Sequence, residues 1–309
     1  MTDDATISEL DHPRGGHPLV SCSELARLLA EGEPPLVLDV RWQLGRLDGR
    51  AEHERLRIPG SRYVDLEREL ASPAGAGGRH PLPDPATLRA SMDEWGVVPV
   101  RTVVAYDDVR GLSAARLWWL LRFMGHDAAR VLDGGLASWV AEGLPTESGT
   151  PPPASPDGPP LNPPSVPGRG GECGTYAPGA MPLLDAAEAA ELARNGVLLD
   201  ARAAPRYRGD EEPVDRVGGH IPGALSAPAS DSLAADGRFL PAGELRRHFA
   251  ALGVDGSRPV GVYCGSGVTA AHEVLALELA GLRAALYAGS WSGWIADPSR
   301  AVATGADPG

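Results

Sequence analysis

Cys264 is the residue of this chain whose surroundings could do chemistry. It stands between a short apolar run and a helical one, in Pro259 to Leu277, PVGVYCGSGVTAAHEVLAL. Val260, Val262 and Tyr263 have the β-branched and aromatic character of a buried strand. Gly265 and Gly267 free the backbone to turn, and from Val268 onward Ala271, Val274, Leu275 and Leu279 recur at helical spacing. A loop of this kind turns backbone N–H groups inward, and the helix behind it adds positive potential. A thiol placed there is expected to ionise readily and act as a nucleophile. The hydroxyls of Ser266 and Thr269 supply two further donors for an anion carried on the sulfur.

Phosphate ester hydrolysis is the competing chemistry for a cysteine in such a loop. It needs a longer cradle closed by an arginine that grips phosphate with two parallel hydrogen bonds. Here Ala270 stands six residues after the cysteine, and Tyr263 precedes it. The loop Cys264-Gly265-Ser266-Gly267-Val268-Thr269 instead resembles the active-site loop of the rhodanese family of sulfurtransferases. In that family the cysteine carries a sulfane sulfur as a persulfide. C-G-S-G-V-T is similar to the 3-mercaptopyruvate type, whereas the thiosulfate type usually has basic residues directly after the cysteine.

A carboxylate donor calls for an arginine, whose planar fork matches a carboxylate. The resemblance assigns that role to Arg206, in Arg206-Tyr207-Arg208-Gly209, and implies a second arginine before His220-Ile221-Pro222-Gly223. Arg216 is the one available there. Arg202, next to Asp200, is expected in an ion pair, and His220 at a turn away from the loop. Some mercaptopyruvate enzymes are proposed to activate the loop serine with a histidine and an aspartate. Asp48 falls at that aspartate position, but Arg57 occupies the histidine position, so a relay to Ser266 by that route lacks its base. Trp291 is a candidate pocket wall or core residue. No cofactor and no metal are expected, because the chain has neither a Cys/His cluster at ligand spacing nor a phosphate-binding glycine motif.

The elements that position these residues occur twice. Pro35 to Val40 matches Gly196 to Asp200, Arg57-Ile58-Pro59-Gly60 matches His220-Ile221-Pro222-Gly223, and Thr102 to Asp107 matches Val260 to Cys264. Leu132 to Trp139 matches Tyr287 to Trp294, and all these offsets are similar. Strand-like and helix-like segments alternate within each copy. The fold class is therefore α/β, each copy a mostly parallel sheet with helices on both faces, and the resemblance implies two tandem rhodanese-like domains. Ser21 and Glu24 form a capping-box pattern, and the segments Pro85 to Gly96 and Gly243 to Gly253 read as helices ending in glycine. The boundaries drawn are 1–147 for the first domain, 148–178 for a Pro/Gly-rich linker and 179–309 for the catalytic domain. Where the second copy has Cys264 the first has Asp107. A carboxylate carries no sulfane sulfur, so the first copy is expected to be inactive.

Composition limits what else the chain can be. Its 309 residues, 43% hydrophobic and 22% charged, describe a globular protein of two domains. A net charge of −13 argues against nucleic acid and anionic membranes as partners. All 28 formal cations are arginine, which excludes Schiff-base chemistry on lysine. The acidic start, without an apolar run, is expected to be neither signal nor anchor, and Cys22, Cys173 and Cys264, few and far apart, suit a reducing cytoplasm. Cys22 reads as structural, and Cys173 closes the linker. The expected activity is transfer of sulfur from 3-mercaptopyruvate through a Cys264 persulfide to thioredoxin, a small thiol or cyanide. Thiosulfate as donor, or a persulfide carrier with no small-molecule donor of its own, are the alternatives.

Overall fold

The apolar runs read from the sequence become the strands of two parallel sheets. In the computed structural model, which describes residues 16–150 and 176–309, the first sheet holds β1 (Leu19–Val20), β2 (Leu36–Asp39), β3 (Arg62–Tyr63), β4 (Val103–Tyr106) and β5 (Ala129–Leu132). The second holds β6 (Leu183–Leu184), β7 (Val197–Asp200), β8 (Leu225–Ser226), β9 (Val260–Tyr263) and β10 (Ala285–Tyr287). Their orders, β1-β5-β4-β2-β3 and β6-β10-β9-β7-β8, are the same once the repeat is applied, and all eight pairings are parallel. The central part of the linker, with Cys173, lies outside the described residues, as do the first fifteen positions.

Both faces of each sheet are covered, and the strand sequences show why. Leu36, Leu38, Val103 and Ala105 pack into one core, while their neighbours Val37, Val104 and Tyr106 pack into another. The second sheet divides likewise, Val197, Leu199 and Val262 on one side, Leu198 and Tyr263 on the other. Successive side chains of a strand face opposite ways, so an unbroken apolar run requires cover on both sides. The inner cores of the two copies are one continuous cluster, joined by the packed helices Ala114–Phe123 and Val268–Leu279. Trp118, Trp119, Leu275 and Leu277 are completely buried there, each worth about 1.5–3 kcal/mol or more of transfer free energy. Arg122 adds an ion pair to Glu278 across this junction at 3.4 Å. No helix of the described residues is long and apolar enough to cross a membrane.

Caps follow the sequence with one difference. Ser21 Oγ accepts from Glu24 N at 3.1 Å and starts the helix Cys22–Ala30, but Glu24 spends its carboxylate on Arg130 at 2.8 Å. Only the serine half of the capping pattern therefore serves as a cap. The helix Pro85–Trp95 ends at Gly96 in the left-handed region. Cys22 is buried, and burial pushes its thiol up to about 11, which leaves it inert.

Candidate active site

Strand β9 delivers Cys264 to the floor of a loop that only glycine could close. Gly267 has φ +84°, and a Cβ there would sit 2.5 Å from the carbonyl oxygen of Ala288. The helix begins immediately afterwards at Val268, with Thr269 in its first turn. Cys264 is 2% exposed, and Gly267 N donates to its Sγ at 3.2 Å. Cys264 N donates to Ser290 Oγ at 3.1 Å, and Trp291 N donates to the Cys264 carbonyl at 2.9 Å. Ser290 sits at φ +52°, costly for a residue with a side chain. Its hydroxyl, which also donates to Tyr287 O at 2.9 Å, holds the backbone of Cys264 in return. Trp291 is fully buried with its Nε1 on Val217 O at 2.8 Å, as a core residue.

Two guanidinium groups hang over the loop. A Cβ built on Gly265 would lie 3.2 Å from Arg79 Nη2 and 3.6 Å from both terminal nitrogens of Arg206. Arg206, on the short helix Ala204–Arg208, is thus brought to the cysteine loop. Arg216 is not. It is exposed, and its guanidinium donates to the carbonyl of Ile295. The residue before it, Asp215, turns inward instead, and the second arginine of the site is Arg79 from the other copy. Asp215 accepts from Arg79 Nη1 at 2.6 Å and from Arg206 Nη2 at 3.2 Å, while Glu212 accepts from Arg206 Nη2 at 2.7 Å. Burial alone would raise the Glu212 carboxyl, but Arg206 and two backbone N–H groups hold it below its ordinary value.

Ser266 has a histidine partner, His80, from a segment that the sequence did not single out. Asp48 is half-exposed and paired with Arg46, and Arg57 pairs with Glu147 at 3.2 Å; neither reaches the loop. His80 does, with Nδ1 2.7 Å from Ser266 Oγ and Nε2 3.4 Å from Glu67 Oε1. A carboxylate only accepts, so Glu67 favours the tautomer with hydrogen on Nε2 and leaves Nδ1 to accept from the serine hydroxyl. Burial pulls His80 below the ordinary imidazole value, against the opposing pull of Glu67, so the ring is neutral at neutral pH. His220, by contrast, is buried on the Tyr207 carbonyl at 2.8 Å and stacked on its ring, and Arg202 pairs with Asp200 at 2.6 Å.

Arg79 and His80 arrive by an exchange between the copies. Arg79 N donates to Ser292 Oγ at 2.9 Å, laying Gly78-Arg79-His80 across the second copy's loop. Gly237-Arg238-Phe239 makes the reverse crossing, with Phe239 N donating to Asp133 Oδ1 at 3.0 Å and Gly237 against Arg110. The match Gly-Arg-His to Gly-Arg-Phe was the available signal. His80 stands beside the cysteine loop where Phe239 stands beside the aspartate loop. Arg116, completely buried, clamps the crossing by donating to Gly267 O at 3.3 Å and His80 O at 3.1 Å. Burial lowers its own proton affinity to about 10. In the first copy the carboxylate of Asp107 fills the cradle, accepting from the N–H groups of Val109, Gly111, Ser113 and Ala114 at 2.8–2.9 Å.

The assembled groups are a buried thiol, a hydroxyl–imidazole pair able to move a proton, and two arginines able to hold a carboxylate. A model of the rhodanese-like domain matches residues 21–142 and 185–297. The chain is 47% identical over 297 residues to a protein of Pseudomonas aeruginosa named probable 3-mercaptopyruvate sulfurtransferase, covering 93% of this chain and 98% of that protein. It is 42% identical over 292 residues to a Mycobacterium tuberculosis protein named putative thiosulfate sulfurtransferase SseB, covering 94% and 98%. The crystal structure of SseA from Escherichia coli, titled as a 3-mercaptopyruvate sulfotransferase, superposes with a TM-score of 0.71 at 31% identity, covering 89% of this chain and 99% of that one.

Proposed function

We propose, from the premise that this chain belongs to the rhodanese-like family and is a sulfurtransferase, that it moves sulfane sulfur from 3-mercaptopyruvate to a thiol or cyanide through a persulfide on Cys264. The observation that carries this reading is the pair Arg79 and Arg206 over an uncharged Gly265-Ser266, one residue from the cysteine. Two forks brought together over the loop suit a planar carboxylate, whereas a loop built for a sulfur dianion would carry positive charge itself.

The steps follow from the placement. The donor carboxylate sits on Arg79 and Arg206, with its thiol over Cys264. The Cys264 thiolate attacks that sulfur and the S–C bond breaks, sending its electron pair into the enolate of pyruvate. The donor's thiol proton passes by way of Ser266 and His80 to the enolate carbon, giving pyruvate and leaving an anionic persulfide. An acceptor thiolate, from a small thiol or a thioredoxin-type protein, then attacks the outer sulfur and restores Cys264. The cycle needs no group beyond the chain and its substrates.

Supplying the two donors side by side tests the reading. Pyruvate release from 3-mercaptopyruvate with kcat/KM well above that for thiosulfate supports it, and the reverse order overturns the donor assignment. The proton route has its own expectation. His80→Asn should lower kcat/KM for mercaptopyruvate by about 10²–10⁴-fold, the usual worth of a positioned acid–base group. A base held below the imidazole value stays competent into more acid solution, so the acid limb of the wild-type pH profile should lie below the range of an ordinary imidazole. Glu67 raises the proton affinity of His80, so Glu67→Gln should move that limb lower still. A limb indifferent to both substitutions would remove His80 from the route.

A further inference from the structure

The geometry points to Asp215 as a specificity-determining residue, which balances the charge of Arg79 and Arg206 so that the site accepts a singly charged donor and resists a doubly charged one. The inference rests on Cys264 and the two arginines being the substrate site, but not on which donor is the faster.

Asp215 joins two arginines that come from different copies of the repeat, at 2.6 Å to Arg79 and 3.2 Å to Arg206. The carboxylates are the buried partners, Asp215 with 6% and Glu212 with 7% of the side chain exposed, against 23% for Arg79 and 21% for Arg206. They therefore lie behind the guanidinium groups, not in the space a donor would enter. The bonds they take fall on Arg79 Nη1 and Arg206 Nη2, while Arg79 Nη2 lies 3.2 Å and both terminal nitrogens of Arg206 lie 3.6 Å from a Cβ built on Gly265. The bridge thus aims the fork and reduces its field in the same contact. Behind it Arg202 meets Asp200 at 2.6 Å and Glu212 at 3.5 Å, so the whole cluster sets three arginines against three carboxylates.

A balanced cluster treats donors by their charge. A donor with one carboxylate and a neutral thiol gains directed hydrogen bonds and meets little net repulsion. Thiosulfate brings a second negative charge next to Asp215 and the Cys264 thiolate, with no unbalanced cation among these groups to meet it. Charges a few ångströms apart at a partly exposed protein site interact strongly enough to alter binding by tenfold or more. Had Arg216 taken the inward position of Asp215, the same place would carry the opposite charge.

Asp215→Asn removes the charge and keeps one of the two acceptor oxygens, and is read as the ratio of kcat/KM for thiosulfate to that for 3-mercaptopyruvate. That ratio should rise about tenfold or more, with a steeper loss of thiosulfate activity as salt is added. Asp215→Glu, which restores the charge, should keep the ratio near the wild-type value. If Asp215→Asn does not fold, Glu212→Gln removes one charge from the same cluster and should raise the ratio in the same direction. An unchanged ratio in these charge-removing variants, with both donors slowed alike, would mean that Asp215 only braces the arginines, and would overturn the proposal. A wild-type enzyme faster with thiosulfate would overturn the donor assignment instead, and the shift in ratio would still decide the role of Asp215.

Discussion

Cys264→Ser is expected to reduce sulfur transfer from every donor to the uncatalysed background. A serine oxygen makes no persulfide, so the covalent half of the cycle disappears instead of slowing. The first copy shows what the cradle is shaped to hold. Asp107 carries its charge one bond beyond the position of a thiol sulfur, where four N–H groups receive it. The outer sulfur of a persulfide extends beyond Sγ by one S–S bond of about 2.05 Å, into the equivalent place over the second loop. The cysteine sulfur alone receives one such bond, from Gly267. Mass spectrometry after donor treatment should find one added sulfur on the peptide containing Cys264, and none there in the serine variant. Transfer should persist in Cys22→Ala, whose sulfur is buried away from the loop. A labelled peptide carrying Cys22 or Cys173 in the wild-type protein would displace Cys264 from its role.

Arg206→Ala should cut kcat/KM for 3-mercaptopyruvate by about 30- to 1000-fold, corresponding to a lost charge-assisted contact of about 2–4 kcal/mol. The surroundings argue for the upper part of that range. Removing Arg206 takes away the close partner of Glu212 at 2.7 Å and one of the two partners of Asp215. Two largely buried carboxylates would then face the incoming carboxylate, with Arg79 on Asp215 and only the longer contact of Arg202 with Glu212, at 3.5 Å, to offset them. Arg206→Lys separates charge from shape, because an ammonium keeps the charge and loses the planar fork. It should recover only part of the loss, chiefly in KM. Steady-state kinetics of both variants decide the matter, and a loss below about threefold in Arg206→Ala would mean the carboxylate sits elsewhere.

Much of this arrangement could be read from the sequence because it is local or repeated. The strand, turn and helix around Cys264 lie within twenty residues, and matching the copies yields two sheets of the same order. The aspartate in the first loop follows from the same match. The groups supplied from across the interface were not legible in that way. His80 and Ser266 are separated by 186 positions and Arg79 and Ser292 by 213, so no local period links them. The pairing of Gly-Arg-His with Gly-Arg-Phe would have pointed to them, since a polar residue replaces an aromatic one beside the loop that bears the cysteine. Arg216 failed for a different reason. Neighbouring residues on an irregular segment point in different directions, and a shift of one position put Asp215 inward and the arginine onto Ile295.

The crossing of Gly78-Arg79-His80 onto the opposite copy gives the junction between the halves a say in turnover. Arg79 and His80 stand at the cysteine loop only while the halves are docked, so on the proposed mechanism the competent fraction of molecules equals the docked fraction. Apparent affinity falls in proportion when that fraction drops, whatever the intrinsic strength of the contacts. Shortening a side chain between Ala114–Phe123 and Val268–Leu279, such as Leu121 or Leu277 deep in the shared core, would then act as a partial inhibitor built into the chain. It would weaken catalysis without altering any atom that the sulfur touches.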